Sequence, residues 1–520
     1  MIDATPLLKA YAALRRKRLA LLDPAACQRR LLQRLIRRAR ATRFGLDHRF
    51  STITSVEAFQ TQVPVRRYED LWQRYWQPVF PRLENCTWPG TIPYFAITSG
   101  TTTGVTKYIP CSMAILAANR RAALDLFAFH LQQRPDSRIF GGRNCMLGGS
   151  TALNELAPGI WSGDLSGIAG KTAPVWVRPF YFPPRELETL TDWEAKTARL
   201  APASLEADLR TLGGTPSWLL LFLERLAGLR PEAGRRLAAL YPNLELIVHG
   251  GVNFAPYRSI FRSWLTGSRA ETREVYPASE GFIAVADRGD GEGLRLVLDQ
   301  GLFYEFIPVE ELESPNPTRH WIATAETGVN YALVLTTCAG LWAYVIGDTV
   351  RLIDRDPPRL MITGRTSYSL SAFGEHLIGE EIEDAVASAA GDVGAAVTDY
   401  AVGALFPGMA GGADGGAEGG AGRHLFIIEF EGGAIEAARL KRFAAALDRF
   451  LAAHNSDYAD HRAGDYGMKP PLVHPVPAGT FASWMKRRGK FGGQNKVPRI
   501  INDRALLRDL GTFAGFPIPA

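Results

Sequence analysis

The chain has 520 residues, 46% of them hydrophobic and 22% charged, with a formal net charge of +6. This composition is ordinary for a soluble globular protein, and the length allows two or more domains with substantial cores. Much of the positive charge lies within residues 14–43, interleaved with Leu and Ile at helical spacing, which favours amphipathic helices with solvated basic faces. A nucleic-acid or membrane-surface patch is the alternative, but we expect neither nucleic acid nor a membrane as a partner.

The cysteines and the apolar runs indicate the cellular compartment in which the protein is expected. The five cysteines are scattered and form no Cys-x-x-Cys pair, which argues against a disulfide framework or a zinc ribbon and favours a reducing compartment. The N-terminus lacks the charged and apolar regions of a secretory signal. The most apolar stretch, residues 218–223, is ended by Glu224 and Arg225, so we expect no bilayer span. We expect a cytoplasmic protein.

The predicted elements alternate between helices and strands. Residues up to about 90 favour helices, and residues 94–97 favour a short strand. The loop after it is followed by a long amphipathic helix over residues 112–130, which predicts a strand–loop–helix order. Further elements are helices at 219–229 and 232–240, a buried strand at 244–248, and strands at 283–286, 294–298, 303–307, 331–336 and 341–346. This alternation predicts α/β architecture with β-rich additions in the middle.

A domain boundary is expected near Gly364 and Arg365, after a strand at 360–362. The tail beyond it has its own predicted helices and strand, at 379–389, 434–453 and 425–430. Residues 408–422, rich in Gly and Ala, predict a flexible surface loop. We therefore expect a large N-terminal α/β domain over residues 1–364 and a smaller α+β domain over residues 365–520.

One loop concentrates hydroxyls, glycines and a lysine. Its residues run Thr98-Ser99-Gly100-Thr101-Thr102-Thr103-Gly104-Val105-Thr106-Lys107. Such a loop can direct N–H groups, hydroxyls and an ammonium at a phosphate, because glycine permits tight backbone angles. It is not a Walker loop, which has four residues between its glycines and ends in Gly-Lys-Ser/Thr. The alternative is a polar surface turn.

Two downstream motifs each contain a carboxylate. Tyr276, with small residues and Glu280 after it, suits a wall for a nucleotide base beside a Mg²⁺ ligand. Asp348, in a strand interrupted by Gly-Asp, can accept hydrogen bonds from two ribose hydroxyls. The alternatives are a solvated glutamate and an ordinary turn. Taken together with the loop, these motifs are the parts needed to hold a nucleoside triphosphate.

The order Thr-Ser-Gly-Thr-Thr-Thr-Gly-x-x-Lys, Tyr-x-x-Ser-Glu and Tyr-x-x-Gly-Asp resembles the adenylate-forming superfamily. Residues 107–110, 241–244 and 493–499 also resemble its GH3 (auxin-responsive promoter) family of acyl acid amido synthetases. The resemblance extends from about residue 66 to 501. It implies a large N-terminal domain that binds ATP and the acyl acid, a smaller mobile C-terminal domain, and an active site between them. It also implies that ATP and Mg²⁺ are used to adenylate a carboxylic acid, with transfer of the acyl group to an amine, often an amino acid.

The resemblance also implies which residues form the site. Those assigned to the nucleotide are Ser99, Gly100, Thr101, Thr102, Thr103, Lys107, Tyr276, Ala278, Ser279, Glu280, Asp348, Arg365 and His376. The loop would contact the phosphates, Glu280 would help place Mg²⁺, and Asp348 would hold the ribose. Arg365 would lie at the interdomain hinge.

Lys496 would act on the reacting acyl phosphate, and it and Glu280 are the two catalytic candidates. We choose Lys496 because it alone lies in the Gly-Gln-x-Lys-x-Pro-Arg match. Lys490, in a Gly-Lys-Phe-Gly-Gly context, is the second candidate, and the sequence leaves this choice open. Either lysine could instead be one of many basic residues in an exposed tail.

His376 departs from the family pattern, since many plant members have a lysine there. A histidine is largely neutral near pH 7, which weakens this nucleotide contact, and an ordinary surface or core histidine is the alternative.

Two other functions stay open: an adenylating enzyme that transfers the acyl group to coenzyme A or a carrier thiol, and a nucleotide- or acid-binding protein without catalysis. The expected partners are a small carboxylic acid and an amine. The sequence specifies neither the two compounds nor the oligomeric state.

Overall fold

The computed structural model describes residues 3–99, 106–148, 151–183, 187, 193–251, 254, 257–366, 369–370, 372, 375, 377–405, 422–433, 435–455, 458–459, 462, 468–490 and 496–518. The chain divides into two compact units. The first unit comprises Met1–Val252 and Leu265–Ile362, and the second comprises Asn253–Trp264 and Thr363–Ala520.

The first unit begins with a series of helices, and its later helices lie between strands in the chain. In chain order they are α1 (Thr5–Ala20), α2 (Pro24–Ala39), α3 (Arg43–Asp47), α4 (Val56–Gln62), α5 (Tyr68–Leu71), α6 (Met113–Gln133), α7 (Leu165–Thr172), α8 (Trp193–Leu205), α9 (Pro216–Leu229) and α10 (Leu237–Leu240). The predicted helix over residues 232–240 was wrong in its first half. Gly234 adopts a φ of 58°, a left-handed value that interrupts an α-helix.

The strands of the first unit are β1 (Tyr94–Ser99), β2 (Thr106–Cys111), β3 (Arg143–Leu147), β4 (Asn154–Ala157), β5 (Ile160–Gly163), β6 (Tyr181–Phe182), β7 (Leu209–Gly214), β8 (Leu246–Gly250), β9 (Glu271–Ala278), β10 (Gly281–Val285), β11 (Leu294–Leu296), β12 (Leu302–Pro308), β13 (His320–Trp321), β14 (Asn330–Thr337), β15 (Tyr344–Arg355) and β16 (Pro358–Arg365). Every strand predicted between residues 244 and 346 has a counterpart here, because alternating or continuous apolar runs leave few other ways to bury those side chains.

Twelve of these strands form one mixed sheet, in the order β13-β12-β14-β15-β16-β11-β10-β9-β8-β7-β3-β6. Strands β6, β3, β7, β8 and β9 pair in parallel, and β9 to β11 and β12 to β15 pair antiparallel. A parallel α/β half therefore continues into a β-rich half, as the sequence predicted.

A second sheet of the first unit has the order β2-β1-β5-β4. Strands β1 and β2 form an antiparallel hairpin in which Ser99 pairs with Thr106. The predicted strand–loop–helix order was wrong here, because residues 106–111 form a second strand before α6 begins. Helix α6 starts after Ser112, whose hydroxyl accepts a hydrogen bond from the Ile115 N–H at 3.2 Å.

The second unit is a smaller α+β fold. Its elements are α11 (Arg258–Trp264), β17 (Ser369–Leu370), β18 (Leu377–Ile378), α12 (Gly379–Asp392), β19 (Val397–Leu405), β20 (Arg423–Phe430), α13 (Ala437–His454), β21 (Leu472–Val476), α14 (Thr480–Arg487), β22 (Ile500–Ile501) and α15 (Arg504–Phe513). A sheet of order β21-β20-β19-β22 lies at its centre. The α/β class predicted from the sequence is confirmed.

Both faces of this smaller sheet are covered by helices. Along β20, Phe426 and Ile428 belong to one apolar core, whereas Leu425 and Ile427 belong to another. Successive side chains of a strand point to opposite faces, so a continuous apolar run fits a strand buried on both sides.

No helix in the described part of the chain is both long enough and apolar enough to cross a membrane.

Candidate functional site

The glycine-rich loop connects two paired strands of the hairpin β1–β2. The register places Ser99 opposite Thr106, so residues 100–105 close the hairpin. Gly100, Thr101, Thr102 and Thr103 lie outside the described residues, as does the side chain of Ser99. Their phosphate contacts stay a prediction.

Lys107 lies on β2 and its ammonium faces helix α5. Its Nζ is 3.5 Å from Glu69 Oε1 and 5.2 Å from the centre of the Tyr68 ring. The hydroxyl oxygen of Tyr68 also accepts a hydrogen bond from the backbone N–H of Tyr108 at 2.9 Å. To contact a phosphate, the Lys107 ammonium would first have to leave Glu69. These two partners lie in α5, several elements before the loop, so the loop sequence does not indicate them.

Glu280 lies in the tight turn between β9 and β10. Ala278 pairs with Gly281 across this turn, which leaves Ser279 and Glu280 as its two central residues. The Glu280 side chain is largely buried. Its charge acts on Cys111 at the end of β2: burial, helped by the nearby Glu280 carboxylate, raises the pKa of that thiol to about 12. The metal-motif carboxylate therefore lies near the base of the phosphate-loop hairpin.

A hydrogen bond joins the second and third motifs. The Tyr276 hydroxyl on β9 donates to Asp348 Oδ2 on β15 at 2.5 Å. Three strands separate β9 from β15 in the sheet order, which is roughly 19 Å along a flat sheet at about 4.8 Å per strand. The sheet must therefore curve strongly here to bring a phenol and a carboxylate into contact. Gly347, just before Asp348, has a φ of 91°, a conformation that L-residues with a side chain rarely adopt.

This hydrogen bond also restricts the Tyr276 ring, which is buried. A ring fixed at its hydroxyl cannot swing about its χ angles, so it can present one face to a planar ligand without further loss of rotamer entropy. The acceptor is a carboxylate, whose two oxygens can each accept more than one hydrogen bond. Such a pair suits a nucleoside, with a base against the ring and ribose hydroxyls on the carboxylate.

None of the cysteines is suited to act as a nucleophile. All five are free thiols, and burial raises the pKa of each of them. The value is about 11 for Cys86 and about 12 for Cys145 and Cys338. A thiol with such a pKa is neutral near pH 7 and is therefore a poor nucleophile. An acyl group is not expected to be held on a thiol of this chain.

Among the described residues, no group of three or more His, Cys, Asp or Glu side chains is placed to hold a metal ion. Glu280 is a single carboxylate. A single carboxylate still fits Mg²⁺, since this ion keeps several waters and commonly completes its shell with substrate phosphates.

The second unit contains the remaining predicted residues. Arg365 is partly buried at the end of β16, a strand whose last three residues belong to the second unit. Lys496 is exposed, and His376 lies outside the described residues. Their roles at the nucleotide stay predictions.

Arg499, three residues after Lys496, forms a buried cluster that the sequence did not indicate. It donates to the Tyr257 hydroxyl at 2.8 Å, lies 3.8 Å from Asp399 and stacks over the Tyr400 ring at 4.6 Å. Burial raises the pKa of Asp399 to about 6, although Arg499 opposes this shift. The arginine of the C-terminal motif is thus a packing anchor in the second unit.

Models of three GH3 family domains match this chain: the N-terminal domain over residues 13–147, the central domain over 295–365 and the C-terminal domain over 380–505. The chain is similar to the indole-3-acetic acid-amido synthetase GH3.3 of Arabidopsis thaliana, with 24% identity over 289 residues. That match covers 51% of this chain and 45% of the relative. The chain thus spans under half the length of this curated relative.

Two solved structures are similar over nearly the whole chain. GH3.15 acyl acid amido synthetase superposes with a TM-score of 0.77 and 16% identity, over 97% of this chain and 95% of that chain. 2-Hydroxyisobutyryl-CoA ligase in the postadenylation state superposes with a TM-score of 0.60 and 16% identity, over 95% and 92%. At such identities, the likeness establishes the fold and nothing finer.

Proposed function

The chain belongs to the GH3 family, and on that premise we propose that it is an ATP-dependent acyl acid amido synthetase. It would join a carboxylic acid to an amine, most simply an amino acid, through an acyl-adenylate, with pyrophosphate and AMP as products. The Tyr276–Asp348 hydrogen bond carries the proposal within this chain, because it joins two motifs 72 residues apart. In the same proposal, residues 1–364 bind ATP and the acid, and residues 365–520 form the mobile domain.

The nucleotide would be held by side chains on β9 and β15, by the turn between β9 and β10, and by the loop of the β1–β2 hairpin. The Tyr276 ring would stack on the adenine, and Asp348 would accept hydrogen bonds from the ribose hydroxyls. Ala278 and Ser279 precede Glu280 in the turn and would border the α-phosphate. The hairpin loop of residues 99–103 would contact the other phosphates through N–H groups and hydroxyls.

In the first half-reaction, a carboxylate oxygen attacks the α-phosphorus of ATP and the bond to the bridging oxygen of pyrophosphate breaks. Both reactants are anions, so the site must offset their repulsion with charges fixed in advance. Lys496 would stabilise the charge that develops on the α-phosphate oxygens, and the loop N–H groups would do so at the leaving group. Mg²⁺, when bound at Glu280 and phosphate oxygens, supplies further positive charge.

In the second half-reaction, the amine nitrogen attacks the acyl carbon of the mixed anhydride. The C–O bond to AMP breaks, the amine loses a proton, and an amide is formed. The cysteines give no support to a thioester on the protein, because burial keeps each thiol protonated. Free thiols also support the cytoplasm as the compartment.

A matrix of carboxylic acids and amines tests the proposal, with pyrophosphate release and amide formation measured separately. We expect pyrophosphate release with a subset of acids and amide only when an amino acid is added. If a thioester with coenzyme A formed and no amide did, the acceptor would be coenzyme A and not the proposed amine. Nucleotide binding without pyrophosphate release from any acid would overturn the enzymatic function.

Replacing Tyr276 with phenylalanine should raise the KM for ATP by about ten-fold and change kcat less. The substitution removes a hydrogen bond to a carboxylate, which is worth about 1.5–3 kcal/mol, and frees the ring that receives the base. Tyr181→Phe, at a more exposed tyrosine, is the control and should leave both constants unchanged. Equal KM values in the two variants would contradict the assigned nucleoside contact.

A further inference from the structure

The positive charge of this chain is concentrated in its first two helices. Residues 5–40, which contain α1, α2 and the turn between them, include eleven Lys or Arg and one Asp. The other 484 residues have 48 basic and 52 acidic residues, so they carry a net negative charge. Ten of the eleven cations are exposed; only Arg15 is buried.

Helix α1 packs on the rest of the unit through one face. The buried residues of that face are Thr5, Leu8, Ala12 and Arg15. It packs mainly against α6, the helix that follows the phosphate-loop hairpin, and Arg15 also pairs with Asp299. This accounts for one side of the helix and leaves the opposite side facing outward.

The outward side has a row of leucines. Leu7, Leu14 and Leu21 are 77%, 70% and 87% exposed. They recur every seven residues, which is close to two helical turns, so they align along about 21 Å of one edge. A single exposed leucine is unremarkable, but three in register at these exposures form a stripe, here called the leucine stripe.

Cations flank the leucine stripe. Arg18 and Lys17 lie on its two sides by helical periodicity, Lys9 and Arg16 are exposed further round, and α1 contains no acidic residue. Long apolar side chains bordered by Lys and Arg are the pattern by which a helix lies in the surface of a membrane. The stem of each cation can add apolar contact while its charged end meets lipid phosphates.

We propose that the leucine stripe, formed by Leu7 and Leu14 of α1 and Leu21 directly after it, is together with its flanking cations a docking surface for an anionic phospholipid bilayer. The charge distribution favours this occupant. A second copy of the chain would bring two strongly basic faces together, and nucleic acid would not use the apolar stripe. A bilayer offers an apolar layer and an anionic surface to the same helix edge. The inference goes beyond the proposed ligase function and revises the expectation, drawn from sequence, that no membrane is involved.

Vesicle sedimentation of the full chain tests this surface. We expect binding to vesicles of equal parts phosphatidylcholine and phosphatidylglycerol, at least about ten-fold stronger than to phosphatidylcholine alone, and weakened by high salt. The variant Leu7→Ser/Leu14→Ser/Leu21→Ser should lower partitioning by about ten-fold or more. Its matched control, Leu46→Ser/Leu221→Ser/Leu229→Ser, changes three other exposed leucines and should bind as the unaltered chain does.

A second pair of variants isolates the charges. Lys17→Gln/Arg18→Gln should lower the preference for anionic vesicles, whereas Lys441→Gln/Arg442→Gln, with the same loss of charge at other exposed sites, should retain it. Equal losses in test and control variants would overturn the proposal. The proposal would also be overturned if the chain bound no vesicles but bound an acidic polypeptide or DNA in a salt-sensitive way. A leucine variant that changed only the oligomeric state would overturn it as well. Unfolding midpoints and pyrophosphate release check that every variant is folded and active.

Discussion

Replacing Lys496 with alanine should lower pyrophosphate release by on the order of 10²–10³-fold, which is the range observed when one preorganised group that stabilises developing charge is removed. The expected loss is in kcat more than in KM for ATP, because the ammonium would act on charge that appears at the α-phosphate only as the bond to pyrophosphate breaks. Pyrophosphate release under saturating ATP and acid measures it. Amide formation from a supplied acyl-adenylate should fall far less, since that step does not involve the α-phosphate charge in the same way.

Lys490→Ala is the matched control for this variant. It removes the same charge from the same basic segment, six residues earlier in the chain, and we expect a change of less than about three-fold. A large loss at Lys490 with a small loss at Lys496 would reverse the assignment of the two lysines. Small losses at both would show that neither lysine acts in the adenylation step. The nucleotide contacts of the first unit would then still be tested by Tyr276→Phe.

The elements that the sequence predicted well are those whose pattern is local. Apolar runs such as residues 303–307 and 331–336 indicate strands because they are short and contain several aromatic or β-branched residues. The predicted start of α6 at residue 112 lies one residue before the observed start, where the Ser112 hydroxyl caps the helix. The second strand of the loop hairpin was missed, because Thr106 to Cys111 becomes a strand only by pairing with β1. Pairing of that kind depends on the partner as much as on the segment itself.

The site could be predicted as motifs but not as contacts. Tyr276 and Asp348 are each recognisable in sequence, yet their hydrogen bond depends on how strongly a twelve-stranded sheet curves, and curvature is a property of the whole sheet. The ion pair of Lys107 with Glu69 likewise depends on where α5 packs. Amphipathic patterning predicted basic faces on the N-terminal helices, but the exposure of Leu14 required knowledge of which side of α1 meets α6.

Arg15→Met should destabilise the first unit by about 3–5 kcal/mol, because it leaves buried Asp125 without its cation and buried Asp299 with only Arg18, at 3.8 Å. Arg15 donates to Asp125 at 2.7 Å and to Asp299 at 2.6 Å, and both carboxylates are less than a tenth exposed. Methionine retains much of the apolar stem, so the lost charge rather than a cavity dominates the result. Urea unfolding followed by tryptophan fluorescence measures it, and Arg16→Met, on the exposed side of the same helix, should change the free energy of unfolding by less than about 0.5 kcal/mol.

The pH dependence of the stability of Arg15→Met distinguishes the effect of an unpaired buried charge from a loss of packing. In the unaltered chain burial opposes ionisation of Asp299, but hydrogen bonds from Arg15 outweigh it and lower the pKa, whereas at Asp125 burial prevails and raises the pKa. Without Arg15, burial should raise both folded-state pKa values above those of the unfolded chain, so the folded variant binds more protons and loses stability as pH rises. The deficit relative to the unaltered chain should therefore be largest near pH 7 and shrink as pH falls toward about 4. A deficit that stays constant over this range would show that Arg15 stabilises the unit through packing, and that the anchor on the inner side of α1 is not electrostatic.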